Sequence, residues 1–253
     1  MVSCKPSPRF LSTTLLWFAV FVTVCKGDSD PTDGFTAVSL DESNFKLQQP
    51  YNLDPSERYS FENGIRKLWV YSNDEPFKQD SDTKPRTEIR MTVIKQLQLV
   101  NIYNTDNSSL SAYQEKILYT KNVIFSEGYD YSDGVWQFEG YGYVPSGTTG
   151  VSIMQIFGAD NQATSIMLRV YDGQLKYYNM DVIEDNIYDR WFRVNVIHTV
   201  GDSITVFIDG TQKYVADDKG GSDHYFKFGV YTQEGSSDYM ESRWKDVQIY
   251  NMS

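Results

Sequence analysis

The sequence predicts an all-β fold, a jelly-roll sandwich of two antiparallel sheets with one concave, groove-forming sheet. Three observations predict it. Short runs alternate apolar and polar residues with period two. Turn dipeptides such as Asp172-Gly173 and Asp209-Gly210 separate the runs at close, even intervals. Aromatic residues, which favour strands over helices, are abundant: 19 Tyr, 14 Phe and 5 Trp. At 253 residues the chain can bury the core of one sizeable domain, and no composition shift divides it in two.

At the N-terminus, residues 1–27 read as a secretory signal peptide. Lys5 and Arg9 form its basic start, and Cys25-Lys26-Gly27 offers small residues at the last and third-last positions before a cut. The apolar run from Phe10 to Val24 is shorter than the ~20 residues of a membrane span, so cleavage is preferred to an uncleaved anchor. Such a leader directs the chain to the secretory pathway, with the cell wall or other extracellular space, or the vacuole, as destination. Both cysteines, Cys4 and Cys25, would leave with it, which excludes cysteine chemistry from the mature chain. The net charge of -11 becomes more negative once Lys5, Arg9 and Lys26 are removed. An acidic body argues against nucleic-acid and anionic-membrane partners, and an anionic ligand requires a locally basic groove. Asn107-Ser108-Ser109 and Asn251-Met252-Ser253 have the form of N-glycosylation acceptors.

Residues 28–253 then form the predicted domain. After a polar lead-in, Phe35 to Leu40 alternates as a first strand that Asn44 to Gln49 extends. Tyr59 to Tyr71 reads as two strands joined at Asn63-Gly64, the strongest short hairpin signal. A polar loop over 73–85 leads into a strand at Arg86. Residues 91–125 suit neither period for long and read as an atypical insertion with a short helix at 110–118; a gene-model artefact such as a retained intron is the first reading, a lid the alternative. Strands follow at Val135–Val144, Gly150–Phe157, Ala163–Tyr171, Gln174–Val182, Trp191–Thr199, Ser203–Ile208, Tyr225–Gln233 and Tyr239–Tyr250.

Three of these strands carry the candidate chemistry. Period two puts Arg86, Glu88 and Arg90 on one face, Gln155 beside Phe157 on another strand, and Lys227, Tyr231 and Gln233 with Tyr225 on a third. Together they can floor a groove of cations, amides and a phenol. The purely structural alternative is that Arg86, Glu88 and Arg90 satisfy one another on a sheet face.

Arg-Thr-Glu-Ile-Arg at 86–90, Gln-Ile-Phe at 155–157 and Tyr-Phe-Lys-Phe-Gly-Val-Tyr-Thr-Gln at 225–233 resemble, in order, the three signature segments of alginate-lyase-type (family 7) polysaccharide lyases, whose fold is a concanavalin A-like jelly roll. The runs 128–141, 188–193 and 239–244 are similar to the plant citrate-binding branch of that superfamily. The resemblance implies β-elimination on uronate polymers, with Arg86 or Arg90 and Gln155 neutralising the sugar carboxylate, Lys227 beside them, and Tyr231 as acid and base. One departure is decisive for expectation. Where the lyase segment ends in His, this chain has Phe157, and loss of a general acid/base group typically forfeits ~10²–10⁴-fold in rate. The two histidines present fall elsewhere: His198 shares a face with Val194 and Val196, and His224 borders the Tyr225 strand at a Gly-rich turn.

The expected function is therefore binding of citrate or an acidic sugar by Arg86, Glu88, Arg90, Gln155, Lys227 and Gln233 without catalysis. A polyuronate lyase using Tyr231 is the alternative, and a cell-wall protein that recognises uronate chains is a third class. No EF-hand, phosphate loop, HExxH segment or nucleophile elbow appears, so no metal or cofactor is expected.

Overall fold

The computed structural model describes residues 29–92 and 130–252. The leader at 1–27, residues 93–125 of the insertion with the helix expected at 110–118, and Asn107 lie outside the described residues. Met91, the first residue of the expected insertion, is the last residue of a strand and sits in the core.

Fifteen strands and two single 3-10 turns (Glu42–Asn44 and Pro55–Glu57) make up the described chain. The strands are β1 (Thr36–Ala37), β2 (Phe45–Gln48), β3 (Tyr59–Glu62), β4 (Ile65–Tyr71), β5 (Arg86–Met91), β6 (Val135–Tyr143), β7 (Val151–Phe157), β8 (Thr164–Tyr171), β9 (Gln174–Tyr177), β10 (Val182–Glu184), β11 (Trp191–Thr199), β12 (Ser203–Ile208), β13 (Thr211–Asp217), β14 (Tyr225–Thr232) and β15 (Tyr239–Met252). One sheet runs β13-β12-β11-β6-β15-β4-β3, with β1 also on β15; the other runs β10-β9-β8-β7-β14-β5-β2. Every ladder is antiparallel. The all-β sandwich expected from the alternating pattern is the fold observed.

The hairpin at Asn63-Gly64 forms as expected, because both residues adopt positive φ (51° and 77°) and so match the right-handed twist of β3 and β4. Three expectations differ. Residues 44–49 do not extend the first strand: Asp41 caps the turn Glu42–Asn44, which redirects the chain so that β2 joins β5 in the opposite sheet. The run 174–182 is two strands, broken where Tyr178 turns at φ 50°. Thr211–Asp217, absent from the sequence reading, pairs with β12. Its exposed pattern explains the omission, since an edge strand with one buried residue, Ala216, shows little apolar alternation.

The core lies between the sheets, and an aromatic cluster packs under β14. Phe138 and Trp244 from the first sheet meet Phe226 and Phe228 from the second, with ring centroids 5.5–6.0 Å apart. The Trp244 indole N–H donates to Ser242 Oγ (3.1 Å), and that hydroxyl donates to the Gly229 carbonyl (2.8 Å), so one polar chain crosses the apolar layer. Gly229 lies where β14 bulges against β7. Its φ is 137°, and a Cβ there would come within 2.4 Å of the Thr87 carbonyl oxygen and 2.8 Å of the Glu88 Cα. Only glycine fits this close approach.

Gly229→Ala is expected to destabilise the domain by at least ~2 kcal/mol, read as a lower urea midpoint at unchanged slope. Trp244→Ala should cost ~3–5 kcal/mol in the same measurement.

Candidate functional site

The face of the second sheet turned away from the core collects the candidate residues. On β5, Thr87, Ile89 and Met91 point inward and are buried, which turns Arg86, Glu88 and Arg90 outward. Register then sets their neighbours. Lys227 of β14 stands between Arg90 and Gln155, Gly229 stands opposite Glu88, and Tyr231 stands between Arg86 and Ser152. A bulge at Ile153 lets β7 present both Ser152 and Gln155 to this face.

Glu88 is the centre. Its side chain is fully buried, and it accepts hydrogen bonds from the Lys227 ammonium (2.6 Å) and, through its other oxygen, from the Gln155 amide. Arg86 makes only a long 3.5 Å contact with it. Gly229 projects nothing onto the face here. Burial pulls the Lys227 ammonium below its ordinary pKa, and the Glu88 charge works against that shift.

The two arginines behave differently. The Arg86 guanidinium carbon lies over the Tyr231 ring, 3.9 Å from its centroid, and its buried Nε has no hydrogen-bond partner among the described residues. Arg90 lies on Tyr225 at 3.8 Å and donates from one nitrogen to both oxygens of Asp130 (2.5 and 2.7 Å). Burial raises the Asp130 carboxyl pKa despite that partner. A depression of about 590 Å³ opens beside this pair, bounded by Lys46, Gln48, Phe77 and Asp223 among others. The purely structural alternative, in which Arg86, Glu88 and Arg90 satisfy one another, is met only by the long Arg86–Glu88 contact: Glu88 pairs with Lys227 and Gln155, and Arg90 pairs with Asp130.

Phe157 occupies the position opposite Tyr225, and the two rings stack at 4.9 Å and 19°. Burial pushes the Tyr225 phenol up to about 12, so it remains protonated. Gln233, expected on the same face, follows the end of β14 and donates to the Tyr231 carbonyl at 3.1 Å.

Several residues on this face escaped the sequence reading. Lys46 stands opposite Arg90 on β2, Arg169 of β8 opposite Ser152, and Lys176 of β9 opposite Arg169. One row thus runs Arg86–Tyr231–Ser152–Arg169–Lys176 across five strands. The alternation in 164–171 carried the signal for Arg169; what was lacking was the strand order. In a chain of net charge -11, the site cluster Arg86, Arg90, Lys227, Glu88 and Asp130 is net positive.

The histidines lie away from this face. His198 is buried on the core side, as its periodicity with Val194 and Val196 implies, and His224, beside its turn, is also fully buried. Their rings meet edge-on at 4.7 Å. Burial holds the His198 imidazole down, at about 4, against the pull of Asp218.

This architecture, a jelly roll with cations and a tyrosine on the face of one sheet, is that of a polysaccharide lyase scaffold, and the chain belongs to the alginate lyase family: the family model described as alginate lyase matches residues 38–251. Among individual proteins, it is 50% identical over 224 residues to the citrate-binding protein of Hevea brasiliensis, covering 88% of this chain and 79% of that one. Solved structures of similar fold include the family 7 alginate lyase AlgAT5 (TM-score 0.58, 18% identity, 88% of this chain and 99% of that one) and an alginate lyase from Corynebacterium sp. (TM-score 0.58, 15% identity, 84% and 96%).

Removing one member of the buried pair leaves an uncompensated charge. Glu88→Gln is expected to lower unfolding free energy by ~3–5 kcal/mol at neutral pH, whereas Glu88→Gln combined with Lys227→Met should recover much of that loss. Urea denaturation of the four-member cycle checks this.

Proposed function

We propose that this protein binds citrate or an acidic sugar on the basic face of the second sheet and does not turn it over. The observation that carries the reading is Arg86. It sits on the Tyr231 ring with a buried Nε that has no partner among the described residues, and its one carboxylate contact, to Glu88, is long at 3.5 Å. A planar guanidinium in that state can take a carboxylate through two parallel N–H donors. Lys227 is held nearby by Glu88, and Tyr231 supplies a phenol O–H. The non-catalytic reading is supported by Phe157, an apolar ring stacked on a protonated phenol at the position the family resemblance gives to a histidine base. The 50% identity to a citrate-binding protein supports the choice of ligand.

The second reading, favoured by family membership, is a polyuronate lyase. Tyr231 would take the C5 proton and return it to the leaving oxygen as the C4–O bond breaks and the C4–C5 double bond forms. Titration calorimetry with citrate and with oligouronates, run beside ultraviolet absorbance on polymannuronate, polyguluronate and polyglucuronate, separates the two. The binder reading expects citrate heat, a flat absorbance trace, and affinity weakened about tenfold to a hundredfold by Arg86→Ala. A rising trace abolished by Tyr231→Phe would establish the lyase instead.

The proposal includes entry into the secretory pathway by cleavage of residues 1–27. N-terminal sequencing of the protein secreted from a eukaryotic host is expected to begin at Asp28; retention of Met1 overturns it.

A further inference from the structure

His198, Asp218 and His224 come from β11, the β13–β14 connection and the residue before β14, and they meet at one end of the sandwich. One nitrogen or oxygen atom from each lies within 4.8 Å of those from the other two. Both histidines are fully buried, and the Asp218 side chain is 1% exposed. Three ring nitrogens, His198 Nε2 and both of His224, have no hydrogen bond among the described residues. Asp218 Oδ1 is 3.0 Å from His198 Nε2, close enough for the two atoms to share one bound ion. Each buried polar group without a partner costs ~1–3 kcal/mol, and native folds seldom gather three in one place.

We infer that His198 Nε2, the Asp218 carboxylate and a ring nitrogen of His224 form a binding site for one borderline-soft transition-metal dication, Zn²⁺ foremost. Two imidazoles and a carboxylate are the donor set zinc takes with three protein ligands and one open position. Ca²⁺ and Mg²⁺ prefer shells of six or more oxygens, which this cluster does not offer. Ligand bonds of ~2.1 Å hold donors of a tetrahedral centre ~3.4 Å apart, so capture asks the side chains to close by about an ångström.

The surroundings suit a metal. Tyr131 Oη lies 3.0 Å from His198 Nδ1, and placing the proton on Nδ1 leaves the Nε2 lone pair directed at the cluster. Asp218 is anchored by the Gly201 N–H (2.8 Å) and the Lys219 N–H (2.7 Å), which keeps its carboxylate in place before any ion arrives. The site would tie β11 of one sheet to the start of β14 in the other. The chain's two cysteines, Cys4 and Cys25, are both near the N-terminus, so a metal would be the cross-link available to this domain.

The test uses tag-free protein stripped with EDTA, because His198 and His224 are the chain's two histidines and every imidazole signal belongs to the site. Titration with ZnCl₂ is expected to give one ion per chain and a higher Tm, with no response to Mg²⁺ or Ca²⁺. CoCl₂ should give visible bands of four-coordinate intensity. His224→Phe and Asp218→Asn should each weaken Zn²⁺ binding by ~100-fold or more, beyond the ~10–100-fold that loss of an outer partner produces. If a variant does not fold, the wild-type protein decides: ¹⁵N spectra must show a ring nitrogen of both histidines shifting on Zn²⁺ addition. No binding of Zn²⁺ or Co²⁺ at millimolar concentration, or binding that leaves either imidazole unshifted, overturns the site.

Discussion

Glu88 is the constraint on which the second sheet depends. A carboxylate with no solvent exposure must be compensated, and its partners come from three adjacent strands: Lys227 on β14, Gln155 on β7 and, at longer range, Arg86 beside it on β5. That requirement fixes register as well as charge. A one-residue slip of β14 would carry Lys227 into the aromatic core and bring Phe228 out, losing burial and pairing at once. The same strand needs Gly229 opposite Glu88, where any side chain would strike the β5 backbone. Packing below the sheet and ionic pairing above it therefore select the same alignment.

With Glu88 and Asp130 each satisfying one cation, Arg86 is left with capacity to spare. That is how an acidic protein can present a surface for anions: the positive charge is local and held by neighbours, not a property of the whole. Phe157 sharpens the point. Stacked on Tyr225, it makes the end of β7 and the start of β14 an aromatic clamp under Arg90.

Much of this was legible in the sequence, because period-two alternation reports the faces of a strand directly. The outward set Arg86, Glu88 and Arg90, the inward set Thr87 and Ile89, and the pairing of Gln155 with Phe157 on one face all follow from it. Which strand lies beside which does not. The partner of Arg90 is Asp130, 40 residues on, and Arg169 and Lys176 join the face only through the order β9-β8-β7-β14-β5. The histidine cluster was illegible for the same reason, since His198 and His224 each read alone as a core or turn residue. β13 failed by a different route: one inward residue is too little for a periodic signal.

The row from Arg86 to Lys176 also has a geometry of its own. Four steps between strands at ~4.8 Å make it roughly 19 Å long. Neighbouring strands rotate by about 20–25°, so the two ends of the row are turned by close to a right angle. A small, stiff tricarboxylate resting on Arg86 has no line to Lys176. A flexible polyanion would have to coil with the sheet to touch both, and the surface would then sort ligands by length and pliability as much as by charge.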